Sequence, residues 1–262
     1  MKNIKSEKIY NTIKIALLTF VLMFVSNNVR ANVYDYDYSL GVSFTTSKIL
    51  GDNPAINTLA PINTPNVGGG INGAMPGFEI KGQYKLDGIG DWRLVAGANY
   101  TFLSAKERIP RDKSVYRLSH TVEVLSPLIG LNYYIFRFPN AMSSIYAGLE
   151  LRYNYIHGSN YQVAEEFKES GEVKTRSLFG KPNAGRVGGI IKLGIEGELY
   201  ENYMINVSWG VDALNILGRD NNRGQLLTPF SKNDLKIGVD LENQEDLTYN
   251  FYFSLMIQYR FN

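Results

Sequence analysis

The chain has 262 residues, with 27 basic and 25 acidic side chains, two histidines and no cysteine. The lack of cysteine excludes disulfides, thiol chemistry and a lipidated N-terminal cysteine, and two histidines are too few for a convincing transition-metal site. We therefore expect no cofactor and no metal, and the near-neutral charge gives no reason to expect a nucleic-acid partner.

The N-terminus has the layout of a secretory signal peptide. Four lysines within the first 14 residues precede the apolar run Ile15–Val25, and Val29-Arg30-Ala31 places small or β-branched residues where a signal peptidase cleaves. The apolar run is much shorter than the roughly 20 residues that a membrane-spanning helix needs. We predict a cleaved signal at residues 1–31 and Sec export, which leaves 22 basic and 24 acidic residues in the mature chain.

Period-two alternation of apolar side chains predicts eight β-strands after the signal. In order they are Tyr36–Thr45, Phe78–Leu86, Trp92–Leu103, Ser119–Phe136, Ile145–Tyr155, Val187–Leu199, Tyr203–Val211 and Leu247–Phe261. The connections alternate between long and short, as in an antiparallel up-and-down transmembrane barrel with both termini on one side. We predict long extracellular loops at about 46–77, 104–118, 156–186 and 213–246. A ten-stranded count stays open if Lys236–Leu241 forms a strand.

Two local features refine the strand assignment. In the fourth strand the apolar positions change from even numbers, at Val122 and Val124, to odd numbers from Ile129 onward. A one-residue slip turns every following side chain over, so we predict a β-bulge at Ser126-Pro127. In the third long loop, Glu169-Ser170-Gly171 is a candidate hairpin tip.

The face opposite the apolar one carries a balanced set of charges. A balanced set suits the interior of a narrow barrel, because an unpaired buried charge is costly. A soluble lipocalin-type barrel would instead hold its apolar face inside. The predicted network in the lumen consists of Glu79, Lys81, Lys85, Arg93, Glu123, Glu150, Arg152, Lys192, Glu196, Glu198, Asp212 and Arg260.

Aromatic residues collect near the two ends of the predicted strands, which is typical of the two interfacial girdles of a transmembrane barrel. The last strand also alternates through Phe253, Leu255, Ile257, Tyr259 and Phe261, one residue before the C-terminal Asn262. This pattern resembles the C-terminal signature that the barrel-assembly machinery recognises. With the signal, the eight strands and the loop lengths, it resembles the small eight-stranded outer-membrane barrel family that includes the OmpA transmembrane domain and OmpX-like proteins. The resemblance implies an outer-membrane location in contact with bilayer lipid and lipopolysaccharide.

An eight-stranded barrel is just wide enough to be filled with side chains, so we expect a packed polar interior. The favoured function is therefore structural and surface-interacting, with an extracellular partner bound by the long loops. A narrow small-solute channel is an alternative. Variable, solvated loops without a fixed partner are another.

A lipid-modifying hydrolase is a further alternative. His157-Gly158-Ser159 resembles the His-x-Ser element of the lipid A 3-O-deacylase barrels, which pair it with a glutamate on the lipid-facing side. Ser119 and His120 are also adjacent, but neighbours along a strand point to opposite faces. Because short motifs match frequently by chance, we expect no enzyme and assign no catalytic residue.

Overall fold

The computed structural model describes residues 36–59, 68–86, 91–220, 224–229 and 245–261, so the predicted signal peptide and Lys236–Leu241 lie outside the described residues. Within these ranges the chain is mostly β-strand, with two short 3-10 helices at Pro54–Ile56 and Pro139–Ala141. No helix in the described part is long and apolar enough to cross a membrane.

The described ranges contain nine antiparallel strands. They are β1 Tyr38–Ile49, β2 Met75–Lys85, β3 Trp92–Pro110, β4 Ser114–Phe138, β5 Ser143–Phe167, β6 Val173–Phe179, β7 Ala184–Tyr200, β8 Tyr203–Leu217 and β9 Tyr249–Phe261. The sheet order is β4-β3-β2-β1-β9-β8-β7-β5-β6, and a further pairing of β4 with β5 closes eight strands into a ring. Strand β6 pairs with β5 and is not part of that ring. The predicted eight-stranded antiparallel barrel is confirmed.

The two ends of the barrel differ in their connections. At one end β2–β3, β4–β5 and β7–β8 are joined by short turns. At the other end the β1–β2 and β8–β9 connections are long, but most of 104–118 and 156–186 is strand, contrary to the predicted loops. Strands β3 and β4 continue to a turn at 111–113, and β5 and β6 form a second hairpin. Gly171, with φ of +67°, lies in its predicted tip.

The outer part of this end is an open sheet. Strand β2 follows β3 only to Thr101, and β7 follows β5 only to Ile156. Beyond these residues β3, β4, β5 and β6 pair without the rest of the ring. We call this four-stranded extension the protruding sheet, and it consists of residues 102–110, 114–124, 157–167 and 173–179.

The predicted bulge at Ser126-Pro127 is wrong. Both residues pair with β3 in one uninterrupted register, and the nearest irregularity of β4 lies between Thr121 and Glu123, opposite β5. Val122 and Val124 face inward and are buried where the protruding sheet begins. The apolar residues change from even to odd positions because the interior is apolar at this level, while β4 keeps its even-numbered residues inward on both sides of Ser126-Pro127.

The polarity of the barrel wall is the reverse of that of a soluble protein. Large apolar side chains cover the outside, and Phe78 and Ile191 are 66% and 71% exposed. Their strand neighbours Glu79 and Lys192 point inward and are only 1% and 2% exposed. An apolar exterior around a charged interior is the arrangement of a transmembrane barrel.

Aromatic side chains pair across neighbouring strands at both edges of this apolar exterior. Near the short turns the ring centroids are 4.7 Å apart in Trp92–Tyr133, 5.2 Å in Tyr38–Tyr84 and 5.2 Å in Tyr203–Tyr259. At the opposite edge the Phe44 and Phe78 rings meet edge to face at 5.9 Å. Such rings suit a water–lipid interface because each has an apolar body, and tyrosine and tryptophan add a polar tip.

Candidate functional sites inside and outside the barrel

The middle of the barrel is filled by an interior ion network centred on Glu150. One oxygen of its carboxylate accepts hydrogen bonds from Lys81, at 2.8 Å, and from Lys192, and the other accepts one from Arg152 at 2.8 Å. Glu79 also bridges Lys81, at 2.7 Å, and Arg152, at 3.4 Å. All five side chains are nearly inaccessible to solvent. Because each cation faces at least one carboxylate, the network is compatible with burial.

A second polar layer fills the end of the barrel near the short turns. The Arg93 guanidinium lies 3.5 Å from the centre of the Tyr36 ring, and the Tyr36 hydroxyl donates to Glu196 at 3.1 Å. Gln258 donates to the same carboxylate at 3.0 Å. The side chains at this level therefore interlock across the barrel and fill its cross-section.

The opposite end of the interior is closed by an apolar plug. Residues 53–59 and 68–71 of the β1–β2 connection and residues 224–229 of the β8–β9 connection fold into the barrel mouth. Their apolar side chains join inward-facing ones from the strands in a single cluster. It contains Ile49, Ala55, Leu59, Ile71, Met75, Leu103, Ala105, Leu118, Val122, Val124, Ile156, Tyr161, Leu214, Leu226 and Leu227. We call the three inserted segments the plug.

Buried polar contacts attach the plug and its flanking segments to the wall. Arg186 makes three hydrogen bonds of 2.7–3.1 Å to the Glu245 carboxylate, and Lys181 donates to Thr228 at 2.7 Å. His120 points inward, with Nδ1 3.1 Å from the carbonyl oxygen of Gly69. Burial lowers the pKa of His120, and the nearby Gly69 carbonyl opposes this shift. Ser119 lies on the other face, as its position next to His120 predicts.

The structure buries nine of the twelve predicted lumen charges: Glu79, Lys81, Arg93, Glu150, Arg152, Lys192, Glu196, Asp212 and Arg260. Lys85 lies at the rim and pairs with Asp37 at 2.9 Å, and Glu198 pairs with Arg260 at 2.9 Å. The assignment of Glu123 to the lumen is wrong. It occupies an outward position between the inward-facing Val122 and Val124.

The C-terminal signature residues occupy the outward positions of β9. Leu255 and Ile257 are exposed, whereas Tyr259 is covered by Tyr203 and by Phe261, whose ring centre lies 5.6 Å away. Phe253 pairs with Trp209 of β8. Strand β9 also pairs with β1 and thereby closes the ring between the first and last strands.

The outer surface carries a small polar cluster at the edge of the protruding sheet. Glu123 accepts a short hydrogen bond from Tyr100 and lies 3.6 Å from Nδ1 of His157. The ring of His157 stacks on Tyr155 at 5.3 Å. The structure thus pairs His157 with a glutamate that the sequence analysis placed inside. Among the described residues the buried Ser159 hydroxyl has no hydrogen-bond partner, so it makes no contact with His157 in this arrangement.

A cleft of about 470 Å³ lies on the protruding sheet. We call it the basic cleft. Its lining includes Glu107 and six cationic or uncharged polar side chains: Lys106, Arg108, Arg117, Ser119, Gln162 and Thr175. All six come from segments that the sequence analysis treated as loops or strand ends. In the sequence these polar residues alternate with the apolar residues Ala105 and Leu118, and this alternation is the signal that predicts strands in these segments.

No protein-family model and no curated protein sequence matches the chain. Among solved structures, Neisserial surface protein A is 9% identical, with 86% of this chain and 97% of that protein aligned and a TM-score of 0.44. Ail, the attachment invasion locus protein of Yersinia pestis, is 11% identical over 87% and 99%, with a TM-score of 0.34. The outer membrane protease OmpT of Escherichia coli is 12% identical over 89% and 99%, with a TM-score of 0.23.

At these TM-scores the fold assignment rests on the strand pairing of the chain itself. That pairing closes eight strands into a ring. The protein is an eight-stranded β-barrel. This barrel combines an apolar exterior, a filled interior and a protruding sheet, and these three features guide the functional argument.

Proposed function

We propose that the barrel is exported to the bacterial outer membrane and displays the protruding sheet as a binding surface for an extracellular partner. The observation that carries this proposal is the extension of β3, β4, β5 and β6 beyond the closed ring. Among the described residues, nothing pairs with the outer edges of its two outer strands, β3 and β6, and such edges bind other chains or ligands readily. We also propose that the C-terminal strand is the segment that the barrel-assembly machinery recognises.

The filled interior favours this function over that of an open pore. A solute would have to displace both the apolar plug and the interior ion network around Glu150. The same contacts make the wall rigid, and a rigid wall is a suitable support for a binding surface. The inner face of the protruding sheet is covered, because Ala105 and Leu118 belong to the same apolar cluster as the plug, so its outer face is the one that can bind a partner.

Deletion of the β3–β4 hairpin tip tests this proposal. We expect that replacing 106–117 by Asn-Gly lowers binding to mammalian cells, matrix proteins or lipopolysaccharide by about tenfold or more, because it removes the outer ends of two of the four strands of the protruding sheet. Binding is measured with purified barrel on each immobilised probe. Shortening of the segment 231–243 in the β8–β9 connection is the control. Heat-modifiable gel migration shows that each variant is folded, and unchanged binding by a folded hairpin variant would refute the proposal.

A lipid hydrolase is the second candidate, favoured by the contact between Glu123 and His157 on the outer surface. In this function the glutamate orients the histidine, which activates the Ser159 hydroxyl for attack on an ester. The Ser159 side chain would have to rotate toward His157, because its hydroxyl makes no hydrogen bond to any described residue in the present arrangement.

The test is an assay of lipid A deacylation by the purified barrel. If the barrel is a hydrolase, His157→Ala and Ser159→Ala should each lower the rate by about 10²-fold or more, since nucleophile and base act as one unit. Glu166→Gln removes an exposed carboxylate from the same sheet and serves as the control. Absence of activity in the unmodified protein would end this candidate.

A further inference from the structure

Two arginines lie directly opposite each other on the outer face of the protruding sheet. Arg108 of β3 pairs with Arg117 of β4, and Lys106 pairs with Ser119 on the same face. Side chains that are directly opposite have Cβ atoms about 4.5–5.5 Å apart, and like charges in such pairs destabilise a sheet. An unfavourable pair of this kind is explained if an anion binds between the two side chains.

The carboxylates of the sheet compensate this charge only in part. Glu166 forms an ion pair with Arg117 at 2.6 Å, but the Arg117 side chain is largely exposed and that of Glu166 is partly exposed, which weakens the pair. Glu107 also lines the cleft, but one oxygen of its carboxylate accepts a hydrogen bond from the Leu59 N–H of the plug at 2.9 Å. Among the described residues, no ion pair involves Lys106 or Arg108. The outer face therefore retains positive charge in the basic cleft.

The shape and donors of the basic cleft suit a phosphate ester. A volume of about 470 Å³ is in the range of pockets that hold small ligands. Arginine presents a planar set of N–H donors that matches phosphate oxygens, and lysine adds a mobile ammonium group. Ser119, Gln162 and Thr175 line the same cleft and offer hydrogen bonds for hydroxyl groups. A phosphorylated sugar combines these two kinds of group.

The position of the basic cleft indicates where such a ligand would come from. Phe102 is an outward aromatic residue of β3 at the edge of the apolar exterior that lies opposite the short turns. Lys106 lies four residues further along the same face of the strand. Four residues of a tilted strand rise about 10 Å, which places Lys106 just above a headgroup layer that is about 5–8 Å thick on each side of the bilayer. The cleft opens sideways over the bilayer because its side chains point outward from the barrel.

We propose that the basic cleft binds phosphate groups on the sugar headgroup of a glycolipid in the surrounding leaflet. This inference rests on the membrane location proposed above. Binding of the phosphate relieves the repulsion between Arg108 and Arg117 and fixes the protruding sheet relative to the membrane surface. The same chemistry occurs on soluble phosphorylated sugars, but the outward orientation of the cleft favours the lipid-borne form.

The test uses the full mature barrel in phosphatidylcholine nanodiscs that contain bisphosphorylated lipid A, with retained lipid A counted by native mass spectrometry. We expect Lys106→Gln/Arg108→Gln to lower the apparent affinity by about tenfold or more, since it removes two charge-assisted contacts. Lys48→Gln/Arg219→Gln removes one lysine and one arginine from exposed positions outside the protruding sheet and is expected to change the affinity by less than about twofold. Dephosphorylated lipid A should bind the unmodified barrel no more tightly than bisphosphorylated lipid A binds the cleft variant.

Each other outcome overturns the proposal. Equal losses in the two double variants would show a general effect of surface charge, and an unchanged cleft variant would show that the cleft is not the site. Tighter binding of soluble glucose 1-phosphate than of lipid A would assign the cleft to a soluble ligand. Heat-modifiable migration is measured first. A barrel that does not insert refutes the proposed membrane location, whereas an inserted barrel without the expected binding refutes only the proposal for the cleft.

A second measurement separates binding from a structural role. Without lipid A, Arg108→Gln should slow amide hydrogen exchange over 104–118, because it removes the repulsion from Arg117. Faster exchange in this variant would show that Arg108 stabilises the hairpin and would overturn the explanation based on a bound anion.

Discussion

Glu150→Gln is expected to lower the free energy of unfolding of the barrel by about 3–5 kcal/mol, the cost of breaking a buried ion pair while its partners stay buried. The Glu150 carboxylate accepts hydrogen bonds from Lys81, Arg152 and Lys192. A neutral amide leaves these three cations with too little negative charge. The measurement is urea unfolding of the barrel in phospholipid vesicles, followed by the heat-modifiable shift on gels.

An exposed ion pair supplies the control for this prediction. Arg117 and Glu166 are 2.6 Å apart but have side chains 62% and 38% exposed, so Glu166→Gln should cost less than about 1 kcal/mol. A double change of Glu150 and Lys192 to methionine should recover most of the loss, because apolar side chains can replace a buried pair of similar volume. A loss below about 1 kcal/mol in Glu150→Gln would contradict the role given to the network.

Gly130→Ala is expected to destabilise the barrel by about 1–3 kcal/mol, because the added methyl group overpacks the contact between β4 and β5. A Cβ at Gly130 would lie 2.3 Å from the carbonyl oxygen of Leu149 and 2.8 Å from Cα of Glu150. Both atoms belong to the backbone, so rotation of a side chain cannot relieve the contact. The unfolding midpoint in vesicles should fall accordingly.

Gly82→Ala is the matched control, since it adds the same methyl group to another strand glycine. Its Cβ would be at least 3.7 Å from the nearest heavy atoms, an ordinary contact distance. We expect a change within about 0.5 kcal/mol. Equal effects of the two substitutions would show that the close approach at Gly130 does not limit stability.

The sequence predicts the closed ring of the barrel better than the part beyond it. Where the exterior is apolar and the interior is charged, alternation assigns a face correctly, as at Glu79 and Lys192. At the level of the plug the polarity reverses, because apolar side chains fill the interior and polar ones face outward. An alternating strand at this level therefore has its polar residues on the outside, and the rule that assigns them to the interior fails. This reversal explains why Glu123 was assigned to the lumen and why a bulge was predicted at Ser126-Pro127.

The plug and the basic cleft depend on contacts that a single sequence does not show. Leu59, Ile71 and Leu227 lie in connections rich in Gly, Pro, Asn and Thr, and their apolar character was the only signal that these segments fold inward. The Arg108–Arg117 pair becomes visible only when the register of β3 and β4 is known. The adjacency of Glu123 and His157 also depends on the pairing of β4 with β5.

The origin of the plug segments affects how the barrel can open. They come from the first and last long connections, which flank β1 and β9, the two strands that complete the cylinder. Asn53 donates to the carbonyl of Leu247 at 3.4 Å and to the Thr248 hydroxyl at 3.3 Å, so this junction has cross-links outside its backbone ladder. We therefore expect separation of the N- and C-terminal strands to break the contacts of the plug at the same time. A barrel that opens at this junction should then unfold more slowly than one held there by its backbone hydrogen bonds alone.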